Sequence, residues 1–128
     1  EESLRVRAPT QGLSTRMTTQ EEEFQGVKVP PGSILHLRYG AANVDEEVFE
    51  CPHQINLERR ALTRHLTFSQ GHRTCPGNGI SRLEQIIAWN LIFDRVKEIS
   101  FTPETKFEHQ PGIMLGALEL KLNFSKEV

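Results

Sequence analysis

Cys75 sits in a run, Phe68 to Gly77 (FSQGHRTCPG), whose residue types make a single thiol chemically usable. Gly71 lies four residues before it, Gly77 two after, Arg73 two before, and Phe68 opens the run. A long amphipathic segment follows at once, so a glycine-bent loop delivers a thiol to the start of a helix. A thiolate is the ligating and nucleophilic form of cysteine, favoured by a helix N-terminus and a nearby cation. Glycines lack a Cβ, which lets the backbone turn sharply and approach a flat partner closely. Arg73 is suited to pair with a carboxylate at that partner's edge.

A single thiolate does not suit zinc or an iron–sulfur cluster, which take several protein ligands. It suits haem, where one axial sulfur is enough. A buried, inert cysteine in a turn is the plain alternative, the usual fate of a lone cysteine. A second alternative places Cys51, His53, His72 and Cys75 around a structural zinc. The C-x-H and H-x-x-C spacings allow this without matching a standard finger.

The pattern F-x-x-G-x-R-x-C-x-G, continued by Ser81, Arg82 and Glu84, resembles the haem-binding loop of the cytochrome P450 superfamily, in which a cysteine thiolate ligates haem. Ser69 and Ser81 depart from the glycine and alanine often found there; neither change removes a chemical function. The resemblance implies that Cys75 ligates the iron of haem b, with Phe68, Gly71, Arg73 and Gly77 around it. It also implies that Arg16 contacts a haem propionate; His65 is a weaker candidate for the same role. Glu2 and Arg5, spaced for one helix face, resemble the E-x-x-R of the P450 K helix. Their structural partner from the following meander would be Arg59 or Arg60. Gln11, Gly12 and Leu13 align with a strip bordering the substrate pocket, as do Ile113, Met114 and Leu115 at the tip of a terminal hairpin.

The elements that must position these residues follow from pattern. Glu1 to Arg7 is helix-like and stops before Pro9. Thr10 to Glu23 is polar and reads as irregular. Within Phe24 to Tyr39, Val27 and Val29 alternate with Lys28, Pro-Pro-Gly turns the chain, and Ile34 to Leu37 follow, which predicts a β-hairpin. Tyr39 to Asn43 opens a short helix. Asp45 to Arg64 reads as a long irregular loop, the expected meander. Asn78 to Ile99 reads as a helix with Ile80, Leu83, Ile87 and Leu91 on a core-facing stripe and Arg82, Gln85 and Trp89 off it. Phe101 to Gln110 is polar. Alternation from Leu118 to Phe124 after Ile113 to Leu115 predicts a closing hairpin. The expected class is α+β, the C-terminal part of the P450 fold: K helix, small hairpins, meander, cysteine loop, L helix and terminal hairpin.

Composition bounds the rest. The chain has 128 residues and a formal net charge of −2, with 37% hydrophobic and 25% charged residues. That allows one small domain and no bulk attraction to nucleic acid. No apolar run approaches a membrane span, and two cysteines outside any disulfide pattern fit a cytoplasmic protein. The chain begins without methionine, in the middle of a helical motif. The resemblance spans residues 1–128 but only the C-terminal third of a P450, so the N-terminal part with the I helix is expected to lie outside it. The activity implied is that of a haem-thiolate monooxygenase acting on a small organic substrate. NAD(P)H-derived electrons would come through a ferredoxin or reductase docked near Arg64, His72 and Arg82. A non-catalytic haem-binding or structural fragment is the alternative, and the 128 residues alone are expected to be inactive.

Overall fold

A computed structural model describes all residues except Leu13, Ala61, Pro111, Ile113, Glu127 and Val128; for Lys126 only the backbone is described. The class is α+β. Helix α1 (Glu2–Val6) is followed by strands β1 (Thr15–Met17), β2 (Glu22–Phe24), β3 (Val27–Val29) and β4 (Ile34–His36), then helix α2 (Tyr39–Ala42). Helix α3 (Asn78–Arg95), strand β5 (Val96–Phe101) and strand β6 (Leu122–Lys126) complete it. The chain divides into two compact units. The first holds Glu1–Thr67 with Gly112–Leu115, the second Phe68–Pro111 with Gly116–Val128.

The strand pairing in the first unit differs from the sequence expectation. Thr10 to Glu23 is not irregular, since it contains β1 and β2. The hairpin predicted across Pro-Pro-Gly does not form as read: β3 pairs antiparallel with β2, and β4 with β1. The physical reason lies in Gln25 and Gly26, which both take positive φ, 47° and 81°. A two-residue turn with both central residues left-handed twists its strands into register, and it closes β2 on β3 before the prolines are reached. Gly32, φ 80°, then helps return the chain so that Arg16 stands opposite Leu35.

Among the described residues, the buried apolar core is Ala8, Tyr39 and Phe49, all in the first unit. Its centre is polar: Arg5 and Asn43 are fully buried. From Asp45 to Thr67 the described residues run without strands, as a meander with a short 3-10 turn at Leu62–Arg64.

In the second unit the long helix ends four residues earlier than expected. Val96 to Ile99 belong to β5, because β-branched Val96 and Ile99 find a pairing partner in β6. The closing hairpin is likewise corrected. Leu122 to Lys126 pairs with Val96 to Phe101, while Leu118 and Leu120 lie outside any strand. Further back only single bridges form, Thr10 with Met114 and His109 with Ala117. The stripe expected to face a core is uncovered here, with Ile80 62% and Leu83 55% exposed. Ile86, Trp89 and Phe93 on the opposite face are also exposed, Trp89 stacking on Phe93 at 5.6 Å. A helix apolar on two faces is the pattern of a buried helix. Among the described residues no helix is long and apolar enough to cross a membrane.

Candidate functional site

The loop that carries Cys75 is closed by its own backbone. The Cys75 amide donates to the Phe68 carbonyl at 2.8 Å, and the Thr74 amide and hydroxyl both donate to the Gly71 carbonyl, at 3.0 and 2.8 Å. Gly71–Arg73 forms one 3-10 turn, entered through Ser69 at φ 61° and Gly71 at φ 73°. The left-handed region is ordinary for glycine and strained for serine. The serine at this corner therefore stores strain beside Phe68.

Gly77 is a different case. Its φ is −85°, open to any residue, so its expected role in turning the backbone is not required. A Cβ there would meet only Cys75 Sγ, at 3.8 Å, and a Cβ on Gly71 would meet nothing within 4 Å. The chain's own atoms leave both glycines facing open space beside a half-buried thiol. Arg73 is exposed and makes no hydrogen bond or ion pair among the described residues. A single thiol, open space on its glycine sides and an available guanidinium fit a planar group with one axial sulfur and acidic edges. They do not fit a multidentate metal site. Among the described residues no group of three or more His, Cys, Asp or Glu could hold a metal ion. Of the zinc alternative, Cys51 and His53 lie in the first unit, His72 and Cys75 in the second.

Arg82 completes the loop's surroundings. Its guanidinium carbon lies 4.6 Å from the centre of the Phe68 ring, and its Nη1 donates to the Asn78 carbonyl at 3.4 Å. A cation over a ring face is attracted by the ring's quadrupole.

In the first unit the residues expected to be structural form one network. Glu2 accepts from Arg5 Nε and Nη2, both at 2.8 Å, from Arg59 Nε at 3.0 Å and from the Asn56 amide at 3.1 Å. The ambiguity between Arg59 and Arg60 is thereby resolved: Arg59 reaches Glu2 and also donates to the carbonyls of Glu50, Cys51 and Gln54. Arg5's hydrogen bond is the main influence holding the Glu2 carboxyl at a pKa of about 2. Burial opposes it, and the Asn56 amide and Arg59 add to it.

Asn43 was not singled out from the sequence. Its side chain accepts from the Leu66 amide at 2.6 Å and donates to Thr67 Oγ1 at 2.9 Å, while its carbonyl accepts from Arg5. Contacts across 23, 24 and 38 positions leave no local signature. His65 is buried, with Nε2 2.8 Å from a Glu1 carboxylate oxygen and Nδ1 accepting from the Thr67 amide. Both ring nitrogens are engaged by the chain, which weakens its candidacy for a propionate.

Arg16 lies exposed on β1, its Nη1 donating to the Thr15 carbonyl. Of the expected pocket strips, Leu13 and Ile113 lie outside the described residues. Met114 and Leu115 meet the residues just ahead of the other strip: the Leu115 amide donates to the Pro9 carbonyl at 2.6 Å and the Thr10 hydroxyl to Met114 Sδ at 3.3 Å. The Gln11 side-chain amide folds back to donate to the Ala8 carbonyl, and its carboxamide oxygen fills the place of a Cβ on Gly40. Gly12 is pressed on the Leu37 carbonyl and Arg38, with no room for a side chain.

Comparison with known proteins places these features. The family model described as cytochrome P450 matches residues 1–124. The biotin biosynthesis cytochrome P450 of Bacillus subtilis is 32% identical over 119 residues, covering 93% of this chain and 29% of that protein. Among solved structures, a substrate-free cytochrome P450 of Mycobacterium marinum superposes with a TM-score of 0.92 at 28% identity, over 98% of this chain and 32% of the other. A cytochrome P450 of Bacillus megaterium bound to testosterone gives 0.87 at 27%, over 99% and 34%. The chain spans about a third or less of the proteins it matches.

Proposed function

Because this chain belongs to the cytochrome P450 family, we propose that it is the C-terminal haem-thiolate portion of a monooxygenase, an oxidoreductase that inserts one oxygen atom from O2 into a small organic substrate. The observation that carries this reading is the loop itself: a half-buried cysteine whose backbone amide is held by the Phe68 carbonyl, with Gly77 leaving open space beside its sulfur.

In this reading Cys75 holds the iron of haem b, Phe68, Gly71 and Gly77 bound the ring, and Arg73 and Arg16 bind the propionates through charge-assisted hydrogen bonds. Haem, when bound, supplies the dioxygen chemistry, and thiolate electron donation favours O–O cleavage. The chain's own part is positional. The backbone of Phe68 orients the cysteine, and the Glu2–Arg5–Arg59 network with Asn43 holds the segment leading into the loop. Gln11 to Leu13 and Ile113 to Leu115 border the substrate, Gln11 through its backbone. The remainder of the family's fold, including the I helix, would supply the distal wall, so the 128 residues alone would not turn over. Electrons derived from NAD(P)H would arrive through a ferredoxin or reductase. Of the expected docking residues, exposed Arg64 offers it positive charge, whereas Arg82 is turned onto Phe68.

The test is spectroscopic. The full-length protein, reduced under carbon monoxide, should show the red-shifted band of thiolate ligation, and Cys75→Ala should lose it. A band that survives Cys75→Ala, or stoichiometric zinc in place of iron, overturns the reading.

A further inference from the structure

Arg82 touches both ends of the cysteine loop. Its guanidinium covers the ring of Phe68, where the loop begins, and its Nη1 reaches the carbonyl of Asn78, where α3 begins. Between these ends the backbone passes through two left-handed residues, one of them Ser69. A non-glycine residue in that region persists only where its surroundings over-determine it. Phe68 is the residue before Ser69, and its carbonyl receives the Cys75 amide. Any swing of Phe68 therefore moves both the strained corner and the cysteine.

We propose that Arg82 is a positioning residue for Cys75: stacked on Phe68 and tied to the first turn of α3, it clamps the two ends of the loop and holds the Ser69 corner. Arg82 is half-buried, unlike Arg73, which is exposed and makes no such contact. Its planar fork suits both tasks, since it can lie flat on a ring and still donate at its edge. A lysine would keep the charge and lose the stack. The clamp concerns the chain's own atoms; only the spectroscopic arm below rests on Cys75 being the haem ligand.

The experiment is hydrogen exchange at the Cys75 amide in the full-length protein, with α3 interior amides as the internal reference. A cation–π contact at a partly exposed site corresponds to about a two- to fivefold change in a local opening equilibrium. Arg82→Leu should speed exchange at Cys75 by that factor and leave the α3 interior unchanged. Arg82→Lys should fall between. Phe68→Leu should give a similar rise, and adding Arg82→Leu to it should add nothing, because the stack is already gone. In a Ser69→Gly background, where the corner is unstrained, Arg82→Leu should have a smaller effect. Independent, additive effects of Phe68→Leu and Arg82→Leu overturn the clamp. So does unchanged exchange at Cys75, or an equal rise throughout α3. The spectroscopic arm follows the reduced carbon monoxide complex, whose thiolate-type fraction should drop in Arg82→Leu and recover in Arg82→Leu with Ser69→Gly. If the exchange results hold while the wild-type protein shows no thiolate band, the clamp stands and the haem assignment fails.

Discussion

Arg5 donates from Nη1 to the carbonyl oxygen of Asn43 at 2.7 Å, a contact across 38 positions that ties α1 to the segment after α2. The same guanidinium binds Glu2 twice, donates to the Pro52 carbonyl at 2.8 Å and lies 5.0 Å from the Phe49 ring centre. It is fully buried. Removing one partner of such a pair leaves an uncompensated charge, at a cost of roughly 3–5 kcal/mol. Arg5→Lys should approach that figure despite keeping the charge, because an ammonium cannot reproduce the fork. Urea unfolding of the full-length protein gives the difference; a loss below about 1 kcal/mol would show that the network contributes little more than a surface pair.

Glu2 makes this stability pH-dependent. Its folded pKa is held near 2, against 4.5 for the free group. A depressed folded pKa stabilises the native state above the unfolded value, and that stabilisation is lost as pH falls through the folded one. The wild-type protein should therefore lose stability between about pH 4.5 and pH 2, more steeply than Glu2→Gln. Thermal midpoints of the two across that window should converge. Parallel curves would place the acid sensitivity elsewhere.

Gly77 and Gly71 should respond oppositely to alanine. At Gly71, φ 73°, the left-handed backbone alone costs an alanine about 1–2 kcal/mol, since a Cβ there meets no neighbour. At Gly77, φ −85°, alanine should change haem-free stability by no more than about 0.5 kcal/mol. Yet a methyl beside Cys75 Sγ would intrude where the haem is proposed to sit, so Gly77→Ala should weaken haem retention. Comparing chemical denaturation of the haem-free proteins with haem transfer to an acceptor separates the two effects.

Replacing Arg73 or Arg16 by leucine should speed haem loss without moving the Soret band, because propionate contacts leave the axial ligand untouched. A displaced band with unchanged retention would assign the arginine another role.

Gly40→Ala should destabilise by about 0.5–1.5 kcal/mol, the usual worth of one hydrogen bond, because its Cβ would push the flexible Gln11 carboxamide off the Ala8 carbonyl. Adding Gln11→Ala should cost nothing more, since that hydrogen bond is already lost. A double mutant clearly less stable than Gly40→Ala alone would show that backbone effects dominate at Gly40.

The local chemistry was legible in the residues themselves. Glycines at fixed offsets from one cysteine, with an arginine and an aromatic, carry the family's loop pattern whatever surrounds it. Glu2 and Arg5 share a helix face by spacing alone, and Pro9 stops that helix. Less legible were the strand partners. Val27 to Val29 has the alternation of a strand, but alternation does not name its neighbour. The choice fell to the left-handed turn at Gln25 and Gly26, and glutamine is a poor advertisement for such a turn. The end of α3 was hidden similarly, because apolar residues at 96 and 99 continue a helical stripe until β6 offers them a ladder.

What the sequence by itself determined is therefore the family, because its signature depends on residue types at short, fixed separations. Tertiary structure alone decided that Arg59 rather than Arg60 meets Glu2, that Asn43 joins Arg5 to the approach of the cysteine loop, and that Arg82 lies on Phe68. The first two are hydrogen bonds between groups tens of residues apart, and Arg82 meets Phe68 only after the loop has folded back on α3. Which arginine or asparagine sits within 3 Å of a given carbonyl is set by how the intervening chain closes, and no pattern along the sequence encodes it.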